Sequence, residues 1–186
     1  MDGTIKRMFS IPEKNIEELG LVANQTVADF GAGTGAYTLA AAKALNGTGK
    51  VYAVDVQKDL LERLRKICQE QHVGNVSFVW GNLEISGGTK LRDQSVDVVM
   101  LSNVLFQCVD KKTVLEEVKR VLTPRGRLLL VEWKGSFNNM GPTPEQVFLE
   151  LEAHKLTESL GLSFERSVNA GNYHYGLIFT KGIKAR

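Results

Sequence analysis

The sequence predicts an α/β fold: a Rossmann-like, doubly wound, seven-stranded sheet, mostly parallel, with an antiparallel terminal hairpin strand and helices on both faces. Three observations predict it. Short runs rich in Val and Leu, apolar on both alternations, recur along the chain, and strands buried on both faces have this pattern. Longer stretches with apolar residues at helical spacing separate them. A glycine-rich turn from Gly31 to Gly35 joins the first such strand to the helix after it, and open α/β sheets bind ligands just beyond the C-terminal ends of their strands.

The elements follow in order. A first helix spans Pro12 to Leu19, with proline early and Gly20 just past its end, the asymmetry helices favour. The strand Thr26 to Phe30 leads through the glycine turn into a helix from Tyr37 to Leu45. Next come the strand Val51 to Val56 and a helix from Lys58 to Gln71, with Leu60, Leu61, Leu64 and Ile67 on one face. Strands follow at Val76 to Trp80 and Val96 to Leu101. A helix from Lys111 to Leu122 carries Val114, Leu115, Val118 and Leu122 on one side, and the strand Arg127 to Trp133 comes after it. Right-handed crossovers lay these helices on the two faces of the sheet. Thr143-Pro144-Glu145-Gln146 has the spacing of a helix start, which predicts a helix running to Leu160 and stopping at Gly161. The runs Ser163 to Val168 and His174 to Lys181 are joined by Asn169 to Tyr173, a turn so short that it permits only an antiparallel pair.

The chain has 186 residues, 43% hydrophobic and 24% charged, which predicts one domain over 1–186. Within it, 1–25 form an N-terminal helix and cover, 26–133 the binding core, and 134–186 a helix and the terminal hairpin. A chain of this size buries roughly 70% of the surface its unfolded form exposes, so stability alone requires no disulfide or metal. The net charge is +2, with both signs interleaved, which leaves no electrostatic footprint for nucleic acid or an anionic membrane. The basic run Lys119, Arg120, Arg125 and Arg127 reads as a solvated turn. Cys68 and Cys108 lie in separate segments without Cys-x-x-Cys spacing, and neither has a histidine cluster beside it. The expectation is a reduced compartment and no metal site. Met1 to Ser10 lacks the apolar core of a signal peptide, and no run approaches the length of a spanning helix. The expected location is therefore cytoplasmic, with no membrane span.

The chemistry concentrates around Gly31-Ala32-Gly33-Thr34-Gly35. Glycines at alternate positions let backbone approach a ligand closely, and the following helix offers free N–H groups. A dinucleotide site uses Gly-x-Gly-x-x-Gly with the pyrophosphate on the helix N-terminus. Here the spacing is Gly-x-Gly-x-Gly, and Asp29 stands two residues before the first glycine. A carboxylate there repels a pyrophosphate and suits a ligand carrying positive charge, such as a sulfonium or an amino group.

Asp29-Phe30-Gly31-Ala32-Gly33-Thr34-Gly35 resembles the first motif of class I S-adenosylmethionine-dependent methyltransferases, and the similarity extends from about Pro12 to Lys181. The small, undecorated members akin to quinone-biosynthesis C-methyltransferases and arsenite methyltransferases are the most similar. The resemblance implies S-adenosyl-L-methionine as cofactor, S-adenosyl-L-homocysteine as product, and Asp29, Gly31, Ala32, Gly33 and Gly35 at the cofactor. It implies that Asp55, with Val56, ends the second strand and holds the ribose hydroxyls. Asp55 follows Gly35 by twenty residues, a spacing that dinucleotide folds share. Asn82 and Leu83 stand where the family brackets the adenine, with Asn82 in place of the usual Asp. Ser102 and Asn103 fall where the chain passes the methionine end and the acceptor. Leu122 to Val131 is similar to the family's lead into the fifth strand and is architectural. Arsenic binding needs several thiolates, and two cysteines, one of them in an apolar helix face, argue against that acceptor.

Topology puts the hairpin loop at the same end of the sheet, so Asn172, Tyr173, His174 and Tyr175 approach the acceptor. His174 and Tyr173 are the catalytic candidates, His174 as a general base, with an edge-strand polar contact as its other reading. Alternation sends Tyr173 and Tyr175 to the face opposite His174. Glu132 and Lys134, at the exit of the fifth strand, are further candidates. Met1 to Ile11, with Met8 and Phe9, and Lys134 to Pro142, with Trp133 and Phe137 beside it, either cover the site or pack the sheet rim. Three functions remain open: methyl transfer to a small-molecule acceptor, a non-catalytic cofactor-binding partner or sensor, and a nicotinamide-dependent oxidoreductase.

Overall fold

The computed structural model describes residues 11–137 and 140–182. The N-terminal cover with Met8 and Phe9 lies outside these residues. Helix α1 (Pro12–Leu19) precedes β1 (Thr26–Phe30), α2 (Ala36–Ala44), β2 (Lys50–Asp55), α3 (Lys58–Glu70), β3 (Val76–Trp80) and β4 (Val96–Ser102). A short 3-10 helix (Leu105–Gln107) leads to α4 (Lys111–Val121), β5 (Leu122–Trp133), α5 (Glu150–Ser159), β6 (Leu162–Val168) and β7 (His174–Lys181). The strands form one seven-stranded sheet in the order β3-β2-β1-β4-β5-β7-β6. Strands β1 to β5 pair in parallel, and β7 lies antiparallel between β5 and β6. The order reverses between β1 and β4, which opens a crevice at their C-terminal ends.

Strand alternation divides the core. Val27, Val51, Val98, Leu129 and Ile178 face α1 and α2, where Ile16, Leu19, Ala40 and Ala41 cover them. Ala53 continues that face under Leu61, Leu64 and Cys68 of α3. Phe30, Leu101, Leu130 and Phe179 point the other way, onto Val114, Leu115 and Val118 of α4 and Ala153 of α5. Burial on both faces is the reason the inner strands β1, β2, β4 and β7 and the second half of β5 read as near-continuous apolar runs, whereas the edge strands β3 and β6 are largely half-buried or exposed.

Six strands and the first four helices fall within a residue of the ranges the sequence predicts. β5 is longer, beginning at Leu122 rather than Arg127. Its register jumps from Val96↔Leu122 to Val98↔Arg127, and this irregularity accommodates Pro124 where a regular ladder could not. The predicted helix from Thr143 starts instead at Glu150. The Thr143 and Gln146 exchange does form: Thr143 N donates to Gln146 Oε1 (3.1 Å) and Gln146 N to Thr143 O (3.0 Å). It closes one turn only. The Phe148 side chain is buried and its carbonyl accepts from Tyr175 Oη at 2.7 Å, so tertiary contacts hold the chain extended until Leu149 N meets Glu152 Oε2.

The basic run is less solvated than predicted. Arg120 bonds Glu117 and Asp93, Lys119 Nζ donates to Leu160 O, and Arg127 donates to Leu19 O and Gly20 O.

Candidate active site

A cleft of about 630 Å³ opens at the C-terminal ends of β1, β2 and β4. Its floor is the glycine turn. Gly31 N and Ala32 N both donate to Val54 O (2.8 and 3.1 Å), carrying β1 past its last ladder position before it turns. A Cβ on Gly31 would lie 2.5 Å from Val104 Cγ2, so the turn and the segment after β4 touch without room for a side chain. Gly31, Ala32 and Gly33 line the cleft. Gly35 is not among the lining residues: at φ +85° it caps α2, and any Cβ there would collide with Leu64. Its place in the motif is packing and turning.

Asp55 ties two elements together. Its Oδ2 accepts from Gly33 N (2.9 Å) and its Oδ1 from Gln57 N (2.8 Å). Each carboxylate oxygen keeps a lone pair free for a ligand in the cleft. Asp29 is buried at the cleft wall and accepts from Thr38 Oγ1 at 2.6 Å. Burial raises its pKa to about 6, against the lowering bond from Thr38. Val56 lies at the rim, and Asn82 and Leu83 follow β3 on the same side, with Asn82 Oδ1 accepting from Glu84 N. Beyond them, Ser102 and Asn103 continue the wall. Asn103 holds φ +58°, and its buried Oδ1 has no hydrogen-bond partner among the described residues.

The far end is aromatic. His174 and Trp133 both line the cleft, with ring centroids 4.2 Å apart. Neither His174 nitrogen has a hydrogen-bond partner among the described residues, and burial, with the Lys134 charge, lowers its pKa to about 4. It is therefore neutral at physiological pH. Tyr173, the other catalytic candidate, does not line the cleft. Alternation turns it away from His174, and its ring packs on Phe137 at 4.7 Å. Gly141 lies against the Trp133 ring, closer than any Cβ would allow.

Electrostatics distinguish this cleft. Among the described lining residues are three carboxylates, Asp29, Asp55 and Glu84, and no lysine or arginine. No group of three or more His, Cys, Asp or Glu side chains among the described residues is placed to hold a metal, and no described helix is long and apolar enough to cross a membrane.

Residues 21–168 match the family model described as a methyltransferase domain. The chain belongs to that family. As a methyltransferase-family protein it is 31% identical, over 134 residues, to the ubiquinone/menaquinone biosynthesis C-methyltransferase UbiE of a Marinomonas species, covering 72% of this chain and 51% of that one. It spans about half the length of the curated relatives it matches. Among solved structures, a SAM dependent methyltransferase from Aquifex aeolicus superposes with a TM-score of 0.84 at 30% identity, covering 96% of this chain and 93% of that chain. An arsenic(III) S-adenosylmethionine methyltransferase from Chlamydomonas reinhardtii superposes at 0.69 with 19% identity, over 98% and 71%. At that identity the likeness is one of fold. The family resemblance read from the motifs is thus confirmed.

Several cleft residues escaped the sequence. Tyr37 lines the wall beside the glycine turn, and its Oη accepts from buried Asn15 Nδ2 at 2.5 Å. Gln107 and Cys108 line the opposite wall, where burial and the charges of Glu84 and Glu132 push the Cys108 thiol up to about 11. Glu117 is buried on α4, and it holds Gly87 N, Thr89 N and Thr89 Oγ1 of the loop after β3. The available signal was a glutamate in the apolar stripe between Val114 and Val118.

Proposed function

We propose that this methyltransferase-family chain transfers a methyl group from S-adenosylmethionine to a small-molecule acceptor. The observation that carries the reading is the charge of the cleft: three carboxylates and no cation among its described lining residues. That set attracts a sulfonium and an ammonium and repels a pyrophosphate, which argues against a nicotinamide dinucleotide. The relatives named above, a C-methyltransferase and a SAM dependent methyltransferase, support the same reading.

In this reading Asp55 accepts from the ribose hydroxyls, Val56, Asn82 and Leu83 bracket the adenine, and the Gly31–Gly33 backbone lies against the cofactor. Asp29, Ser102 and Asn103 receive its methionine end. The bound cofactor supplies a methyl group on a sulfonium whose neutral sulfur leaves without acid help. The work left to the chain is alignment and exclusion of water. Trp133 supplies an apolar wall for the acceptor. His174, neutral and without a hydrogen-bond partner among the described residues, accepts the proton of the acceptor's reacting O–H, N–H or C–H group as its bond to the methyl carbon forms. Tyr173 has no part in this step.

Incubation with methyl-labelled S-adenosylmethionine and fractionated small metabolites tests the reading. Label is expected in a low-mass fraction, dependent on His174. Tight binding of S-adenosylhomocysteine with no label transferred to any fraction would favour a non-catalytic binder.

A further inference from the structure

Glu132 is a buried acid that the proposed chemistry leaves unused. It continues the row of Leu128 and Leu130 on β5, on the face covered by α4 and α5, and it is 1% exposed. Its Oε1 accepts from Val104 N (2.8 Å) and Leu105 N (2.6 Å), while Oε2 has no hydrogen-bond partner among the described residues. A carboxylate with one oxygen unsatisfied in an apolar row costs stability, and a leucine there would pack without that cost. Burial raises its pKa to about 7 even against the bonds from Leu105 and Val104. The side chain does not line the cleft; the segment it grips does.

That segment is short and held on all sides. Asn103 N donates to Val131 O at 2.8 Å, and Asn103 O accepts from Gln107 Nε2 at 2.8 Å. The two N–H groups that follow, at the start of the 3-10 helix, end on Glu132. An acceptor at such a helix start satisfies donors that have no intrahelical partner. The Glu132 bonds thus act on the residues directly after Asn103, whose backbone is left-handed at φ +58°, and on Val104, whose side chain touches Gly31.

We infer that Glu132 is a positioning residue: through the Val104 and Leu105 backbone it sets Asn103 and Val104 for the methionine end of the cofactor. The inference rests on the S-adenosylmethionine reading of the cleft and deepens it. Glu132 acts on one end of the cleft only, since the Asp55 and Asn82 end is held by separate bonds.

Calorimetric titration with adenosine and with S-adenosylhomocysteine separates the two ends. Wild-type protein is expected to bind S-adenosylhomocysteine more tightly than adenosine. In Glu132→Leu, adenosine affinity stays within about threefold, and the advantage of S-adenosylhomocysteine falls about tenfold or more, the scale of one or two lost charged hydrogen bonds. Glu132→Gln, which keeps an oxygen for both N–H groups, restores most of the advantage. Glu132→Asp shortens the reach while keeping the charge, and carries the test if the leucine variant does not fold. A folded Leu or Asp variant that keeps the full advantage overturns the inference and leaves the cofactor reading intact. Wild-type protein that binds neither ligand overturns both. A merely structural glutamate would lower the melting temperature without changing the ratio of the two affinities.

Discussion

Trp133 and His174 stand directly opposite each other across β5 and β7, rings 4.2 Å apart, and both line the cleft. The pairing is a product of topology: β7 enters the sheet antiparallel beside β5, so the first residue of β7 meets the last of β5. Lys134 N donates to Tyr173 O at 2.8 Å and fixes this corner. An imidazole is thereby held on an indole wall, out of water and uncharged at neutral pH.

His174→Phe is expected to keep the fold and S-adenosylhomocysteine affinity within about threefold and to lower kcat about 100-fold, the lower end for a lost general base. The part of the wild-type kcat profile that depends on His174 should be level through 6.5 and fall toward 4, because burial depresses the imidazole pKa to about 4. Steady-state kinetics across that range check this. A limb centred near 6.5 that disappears in His174→Phe would mean that His174 is solvated; one that survives the substitution belongs to the buried carboxyls Asp29 or Glu132, raised to about 6 and about 7.

Asp55→Ala removes the acceptor for Gly33 N and Gln57 N as well as the proposed ribose contact. S-adenosylhomocysteine affinity should fall about 100-fold or more by calorimetry, since each hydrogen bond to a charged group contributes ~1.5–3 kcal/mol. Asp55→Asn should lose less, because one oxygen remains.

Glu117 predicts an acid limb of stability. Burial alone would raise its pKa, but bonds from Arg120, Thr89 and the Gly87 and Thr89 backbone bring it to about 2. A carboxylate depressed on folding contributes stability above its unfolded pKa, and that contribution is lost as pH falls from about 4.5 toward 2. Glu117→Gln should cost about 2 kcal/mol at pH 7 and progressively less toward pH 2, in urea titrations of both proteins. It should also weaken adenosine binding modestly, because Thr89 and Gly87 anchor the loop that carries Asn82.

Tyr175→Phe deletes the hydroxyl that donates to Phe148 O at 2.7 Å. The unsatisfied carbonyl should cost about 1–2 kcal/mol, and proteolysis should open the chain ahead of α5 first.

Most of the sheet is legible in sequence because strands buried on both faces are apolar throughout, whichever neighbour they pair with. The glycine turn, Asp29 and Asp55 are legible for a different reason: their roles depend on spacing within one strand-turn-helix unit and its neighbour. His174 follows from topology, as the start of a strand that must return beside β5. Contacts distant in sequence are not legible. The start of α5 depends on Phe148 meeting Tyr175, 27 residues on, and Glu132 reaches back to Val104 and Leu105. Nothing local to Gly35 separates a packing glycine from a lining one, since the decisive neighbour is Leu64.

The central claim is that a cleft walled by Asp29, Asp55 and Glu84, with no cation among its described lining residues, takes a sulfonium nucleoside rather than a dinucleotide. Isothermal titration of the protein with S-adenosylmethionine and, separately, with NAD measures this most directly. Saturable binding of S-adenosylmethionine, strengthened at low ionic strength, with no heat from NAD, is the predicted result. Binding of NAD without binding of S-adenosylmethionine would contradict it.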